Sequence, residues 1–331
     1  MSSVFTEVAD PVEITWYARQ VFADLEEANP LNTYLPRLEV EDVEFTIESL
    51  NTLTVALGEY RAFDAAGKII DRKFGQTAKT SQLAPITAKR VMGERDRIRQ
   101  RANAENALVA QAYNDVEAVV NAVYRRILLA QGEVIDSAIL DLSEGGVIAN
   151  IDWGDSASRK STAGTAWTDT ANATAMQDMV DITAAYTLLN GFAPGAAYMS
   201  TTTLGLFRKN AEVRASVNVD STRPSARLAD VQAELAAEGL PPIVQYDTLV
   251  GATRVLPEGS VHLMPPAEFV SGNTVYGIPA EIGTTVDIQG SDRPGIVASS
   301  ETLERPIRIE TEATALVMPA VQPDRFYNFT R

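Results

Sequence analysis

This chain of 331 residues predicts an α+β fold, and three features of its order carry that expectation. From Glu94 to Gln131 there is neither Gly nor Pro, and apolar residues recur at helical spacing. Segments before and after it alternate apolar and polar residues at the period of a strand. Between the first such strand and the helix lies a long polar segment with no helical period.

The first strand is read in "LEVEDVEFTIESL", where Val43, Phe45 and Ile47 alternate with Glu44, Thr46 and Glu48. Residues 51–92 then read as extended segments around a turn at "DAAGK", residues 64–68, where Gly67 supplies a positive φ. That stretch is long for a connection inside a domain, and a lone hairpin is marginal in water. It is also too polar for this chain's own core, so a neighbouring copy is its natural support.

In the helix, Ile98, Ala102, Val109, Ala112, Val116, Val119, Val123 and Ile127 mark one narrow face. Gly132 stands in the stop position, which sets the expected helix at 94–131. Arg95, Arg97, Arg99 and Arg101 crowd its first turns, where positive charge opposes the helix dipole. A nearby acidic surface would relieve that conflict.

Past the helix, "EVIDSAILDLSEGGVIANIDWG" gives two strands around "SEGG", and "GDSASRKSTAGTAWTD" reads as a loop. Residues 175–190 form an amphipathic helix with a capping box from Thr174 to Gln177 and Gly191 at its end. "YMSTTTLGLFRKNAEV" gives a strand and a helix, and "SARLADVQAELAAEGLPP" a further helix. "PIVQYDTLV" and "TRVLPEGSVHLM" supply strands. In "PIRIETEATALVMP", Ile307, Ile309, Thr311, Ala313, Ala315 and Val317 share a face.

Composition narrows the function. A formal charge of −16 argues against a DNA-binding module, which needs a basic footprint. That charge is uneven: residues 1–50 hold 11 acids against 2 bases, while residues 58–90 hold 3 against 7. Segments of opposite sign can neutralise each other within one chain or between copies. With no cysteine there is no disulfide, thiolate metal site or thiol nucleophile. No secretory signal or membrane-spanning run is read, so the expectation is a protein of the cytosol.

Catalytic signatures are missing from the sequence: no GxSxG elbow, no GxxxxGK[ST] loop and no GxGxxG fingerprint. Asn150, Asp152 and Asp155 faintly resemble a calcium loop but lack the later bidentate Glu. His262, the lone histidine, is read as an outward-pointing polar residue on a strand. No catalytic residue, metal or cofactor is expected.

The order of parts, with "EYRAFDAAGKIIDRKFGQ", "LAPITAKRVMGERDRIRQR", "AYMSTTTLGLFRKNAEVRASV" and "GLPPIVQYDTLVGATRVLPEGSVHLMPP", resembles the lambda-type capsid protein E family of tailed bacteriophages. The resemblance covers most of the chain. It implies a Hong Kong 97-type phage capsid fold: an N-terminal arm and first strand (1–50), an extended hairpin loop (51–93, with 58–83 as the loop itself), and a spine helix with peripheral-domain strands (94–165). An axial domain (166–290) and C-terminal strands returning to the peripheral domain (291–331) complete it.

It further implies hexamers and pentamers in an icosahedral shell that encloses DNA without sequence-specific binding. The expected setting is a virion assembled in the host cytoplasm, with no membrane. Because the hairpin begins near residue 51, a separate scaffolding protein is expected, together with a portal and a decoration protein. Contacts between copies are expected at Arg61, Lys68, Arg72, Lys73, Arg95, Arg97 and Arg99. Two other readings are an encapsulin-type compartment with enzyme cargo and, from another class, a soluble hydrolase with unrecognised carboxylates.

Overall fold

Helix α1, Pro11–Glu27, opens with Pro11 in its first turn and the Asp10 side chain accepting from the Val12 N–H. Ile14, Ala18 and Phe22 recur every four residues and are buried. The segment expected as an arm therefore contains a packed helix, which its acidic exposed positions had masked. The computed structural model describes residues 10–50, 76–93, 95, 105–154, 156–217, 223–282, 294–304 and 307–331.

Along the chain follow β1 (Arg37–Glu39), β2 (Glu44–Leu50), β3 (Gln76–Gln82) and β4 (Ala84–Met92). Then come α2 (Glu105–Ser137), β5 (Ile139–Glu144), β6 (Val147–Asp152) and β7 (Lys160–Thr162). The next stretch holds α3 (Ala175–Asn190), β8 (Ala196–Met199), α4 (Thr201–Lys209), α5 (Ala211–Ser216) and α6 (Leu228–Ala237). After it stand the short strands β9 (Ile243–Gln245), β10 (Leu249–Val250) and β11 (Thr253–Arg254). The last strands are β12 (Ser260–Met264), β13 (Gly272–Tyr276), β14 (Ile296–Glu304), β15 (Ile307–Val321) and β16 (Tyr327–Thr330).

The chain divides into two compact units: 1–45, 81–131 and 272–320 form the first, and 46–80, 132–271 and 321–331 the second. The segment expected as one piece at 291–331 is thus shared between them.

In the first unit, β15 pairs antiparallel with both β14 and β4, and β13 pairs parallel with β1 in the same sheet. Ile309, Thr311, Ala313, Ala315 and Val317 are buried, as their alternation predicts. The polar strand β4, expected to lean on a neighbouring copy, instead pairs with its own chain from Ala84 to Met92. Its partner lies more than 200 residues away, a pairing no local pattern announces. Strands β2 and β3 form a separate two-stranded ladder, and the expected turn at 64–68 lies outside the described residues.

Helix α2 buries Ala112, Val116, Val119, Val123 and Ile127 as expected, with Val120, Tyr124 and Leu128 widening the stripe. It does not stop at Gln131. Val134 and Ile135 continue the apolar face, and the helix ends at Ser137, where Ala138 adopts φ 56° and its N–H returns to the Val134 carbonyl. Gly132 serves packing: a Cβ there would lie 2.0 Å from the carbonyl oxygen of Val255. Glycine at this point permits backbone approach.

In the second unit the sheet order is β7-β16-β12-β8-β9, with β16 antiparallel to β12 and β12 antiparallel to β8. Its core gathers Trp167, Tyr186, Phe207 and Phe329 with the buried residues of α3 and α6. The expected capping box at Thr174 does not form. The first N–H groups of α3 donate instead to Glu212 of α5, with Met176 N to Glu212 Oε2 at 2.9 Å. The β5–β6 hairpin turns through Gly145 and Gly146, both at positive φ, as "SEGG" predicts.

Candidate functional site

Of the residues expected to touch other copies, Arg61, Lys68, Arg72, Lys73, Arg97 and Arg99 lie outside the described residues. Arg95 is described, helical and exposed. Other bases of the same basic segment find partners in their own chain. Lys79 Nζ donates to the Asp152 carbonyl at 2.9 Å. Lys89 meets Glu310 at 2.7 Å and Glu312 at 3.1 Å, because the β4–β15 register sets it directly opposite Glu312. Bonds to Glu310 and Glu312 push the Lys89 ammonium pKa up. Arg90 reaches Asp115 of α2 at 3.3 Å. Among the described residues, Lys89 and Arg90 are thus paired with acids of β15 and α2.

His262 is not on the surface. It is 1% exposed, on the middle strand of a sheet whose β12 is buried on both faces. Alternation alone points its side chain away from Val261 and Leu263, but the C-terminal end of α2 covers that face too. Asn328 Nδ2 donates to the Asp136 carbonyl and so turns its Oδ1 to His262 Nδ1 at 2.8 Å. An amide oxygen only accepts, so Nδ1 carries the proton and Nε2 is a bare lone pair. That Nε2 is buried without a hydrogen-bond partner among the described residues.

Arg159, fully buried, donates through Nη2 to the carbonyls of Ile135 at 2.9 Å and Asp136 at 3.4 Å. Burial lowers the imidazole pKa; Asp136, 3.9 Å away, and the Asn328 bond oppose this, and Arg159 adds to the depression. The result is a neutral histidine sealed from solvent. It can tie α2 to the sheet, but it has no access to a substrate.

Asp152, one of the three residues of the faint calcium signal, accepts from the Gly154 N–H at 2.7 Å, and Asp155 lies outside the described residues. Among the described residues no group of three or more His, Cys, Asp or Glu is placed to hold a metal ion. A polar cluster at the surface surrounds Asp247, which accepts from Thr201 N at 3.0 Å and Arg254 Nη1 at 2.7 Å. Burial would raise the Asp247 pKa, but hydrogen bonds from Thr201, Gln245 and Arg254 outweigh it and hold it at about 2. This carboxylate is committed to capping α4. No described helix is long and apolar enough to cross a membrane.

Comparison with known proteins gives these surfaces a context. No curated protein sequence matches the chain. A solved phage-related protein from Bordetella bronchiseptica RB50 is 12% identical with a TM-score of 0.57, covering 94% of this chain and 95% of that one. A protein of E. coli CFT073 assigned as a prophage capsid protein is 11% identical with a TM-score of 0.59, covering 95% and 98%. The satellite phage P4 procapsid, solved with its size-determination protein, gives 8% identity, a TM-score of 0.53 and coverage of 94% and 90%.

These likenesses establish the Hong Kong 97-type capsid fold. The family model for phage major capsid protein E matches residues 31–330. With that span, nearly every element described above falls inside one family, and the chain belongs to the phage major capsid protein E family.

Proposed function

We propose that copies of this chain assemble into the hexamers and pentamers of an icosahedral shell that encloses the double-stranded DNA of a tailed phage. The observation that carries this reading is the match to a shell-forming family over residues 31–330. Assembly takes place in the host cytoplasm, with a separate scaffolding protein, a portal and a decoration protein as partners. The protein acts as structure and not as an enzyme, a reading that membership of a capsid family supports.

The charge of −16 fits a container. A basic wall would grip packaged duplex, whereas an acidic one leaves it free to move. Arg61, Lys68, Arg72, Lys73, Arg95, Arg97 and Arg99 supply the basic side of contacts with neighbouring copies. Negative-stain microscopy of the protein expressed with its neighbouring genes tests the reading, and closed particles of uniform size are expected. Reversing the charges of Lys68, Arg72 and Lys73 together should leave a folded monomer that forms no shells. Wild-type protein that stays monomeric under every co-expression would overturn the function; shells from the triple variant would overturn the contact residues alone.

A further inference from the structure

Strand β14 ends its sheet: one edge pairs with β15, and the other meets no strand among the described residues. On such an edge, alternate residues turn both N–H and C=O outward. An open row of this kind pairs with any strand it meets, including the same strand of a second copy.

The two halves of β14 differ in protection. The C-terminal half carries Glu301 and Glu304, and charge on an edge discourages pairing. The N-terminal half begins Ile296-Val297-Ala298, an apolar start without charge. Helix α1 lies against that half. Thr15 Oγ1 donates to the Ala298 carbonyl at 2.8 Å and accepts from the Ala298 N–H at 3.4 Å. Arg19 Nε donates to the Ile296 carbonyl at 3.2 Å.

Residues 296 and 298 share the outward parity, so two side chains occupy three of the groups an added strand would use. Thr15 is wholly buried in mid-helix, where a threonine is a poorer helix former than alanine. Its bonds to β14 account for its presence there.

We propose that α1 is an edge guard, occupying the uncharged half of β14 and so excluding antiparallel pairing with the β14 of a second copy. Such pairing would be two-fold and self-complementary, unlike the head-to-tail contacts that close rings. The helix lies ahead of the family match at residues 31–330, and the inference stands whether or not the chain builds shells.

The test is the double variant Thr15→Val with Arg19→Met, followed by light scattering across a concentration series. Its associated fraction should rise about tenfold over wild type as the uncovered edge pairs. Adding Ala298→Pro removes the outward N–H at a position where edges tolerate proline, and should return association to the wild-type level. Ser299→Lys supplies the missing charge without altering the backbone and should act likewise. An unassociated double variant, or association that neither addition suppresses, would overturn the guard; the second result would mean plain unfolding.

Discussion

In the first unit, β15 buries Ile309, Thr311, Ala313, Ala315 and Val317 while Glu310 and Glu312 meet Lys89 at the surface. In the second, β12 is buried on both faces and carries His262 inside, against Asn328 with Arg159 nearby. One sheet keeps its ionic groups where water can replace any lost partner. The other has enclosed them, so each donor and acceptor depends on the next. The same kinds of residue therefore carry very different weight in the two places.

The widest gap should appear on removing the enclosed guanidinium. Arg159→Met leaves the carbonyls of Ile135, Asp136 and Phe326 without this donor and should cost about 3 to 5 kcal/mol in urea denaturation. Hydrogen exchange should speed up at β12 and β16 while β14 and β15 stay protected. Uniform acceleration in both units would erase the contrast.

Acid should act next most strongly, and on the second unit. The folded-state pKa of His262 lies below its ordinary value of 6.5, so the unfolded chain takes up the proton first. Stability is then unaffected above that value and declines as pH falls from 6.5 toward the folded pKa, at no more than about 1.4 kcal/mol per pH unit from this group. His262→Gln should flatten that part of the curve, and an unchanged slope would show that other groups set it.

Smallest of all should be Lys89→Met. The Lys89 side chain is 45% exposed, so its pairs are screened, and any shift in the denaturation midpoint should vanish at high salt. An effect as large as that of Arg159→Met would mean that the surface ladder holds more of the fold than its exposure allows.

Periodicity made the apolar stripe of α2, the alternation of β15 and the "SEGG" turn legible, because each is a local pattern. Helix α1 is also written locally, in Asp10-Pro11 followed by Ile14, Ala18 and Phe22, but the acids at its exposed positions give the same stretch the charge of a solvated arm. Gly132 misled because a helix stop and a close backbone approach use the same residue. His262 misled because alternation says which face a side chain takes, and not what covers that face. The partners of Lys89 and Arg90 come from β15 and α2, and nothing near them in sequence names either. Assembly entered through family resemblance; the basic residues expected at the contacts fall mostly outside the described residues.

Strand β16, residues 327–330, sits between β7 and β12, in the interior of its sheet's order. During synthesis the sheet stays open until those residues leave the ribosome, and β4 likewise waits for a partner at 309–317. Contacts so distant in sequence make for slow folding. They also delay both sheets until residues 309–330 have been made, so a nascent chain lacking those residues has no complete face on which to engage its siblings prematurely.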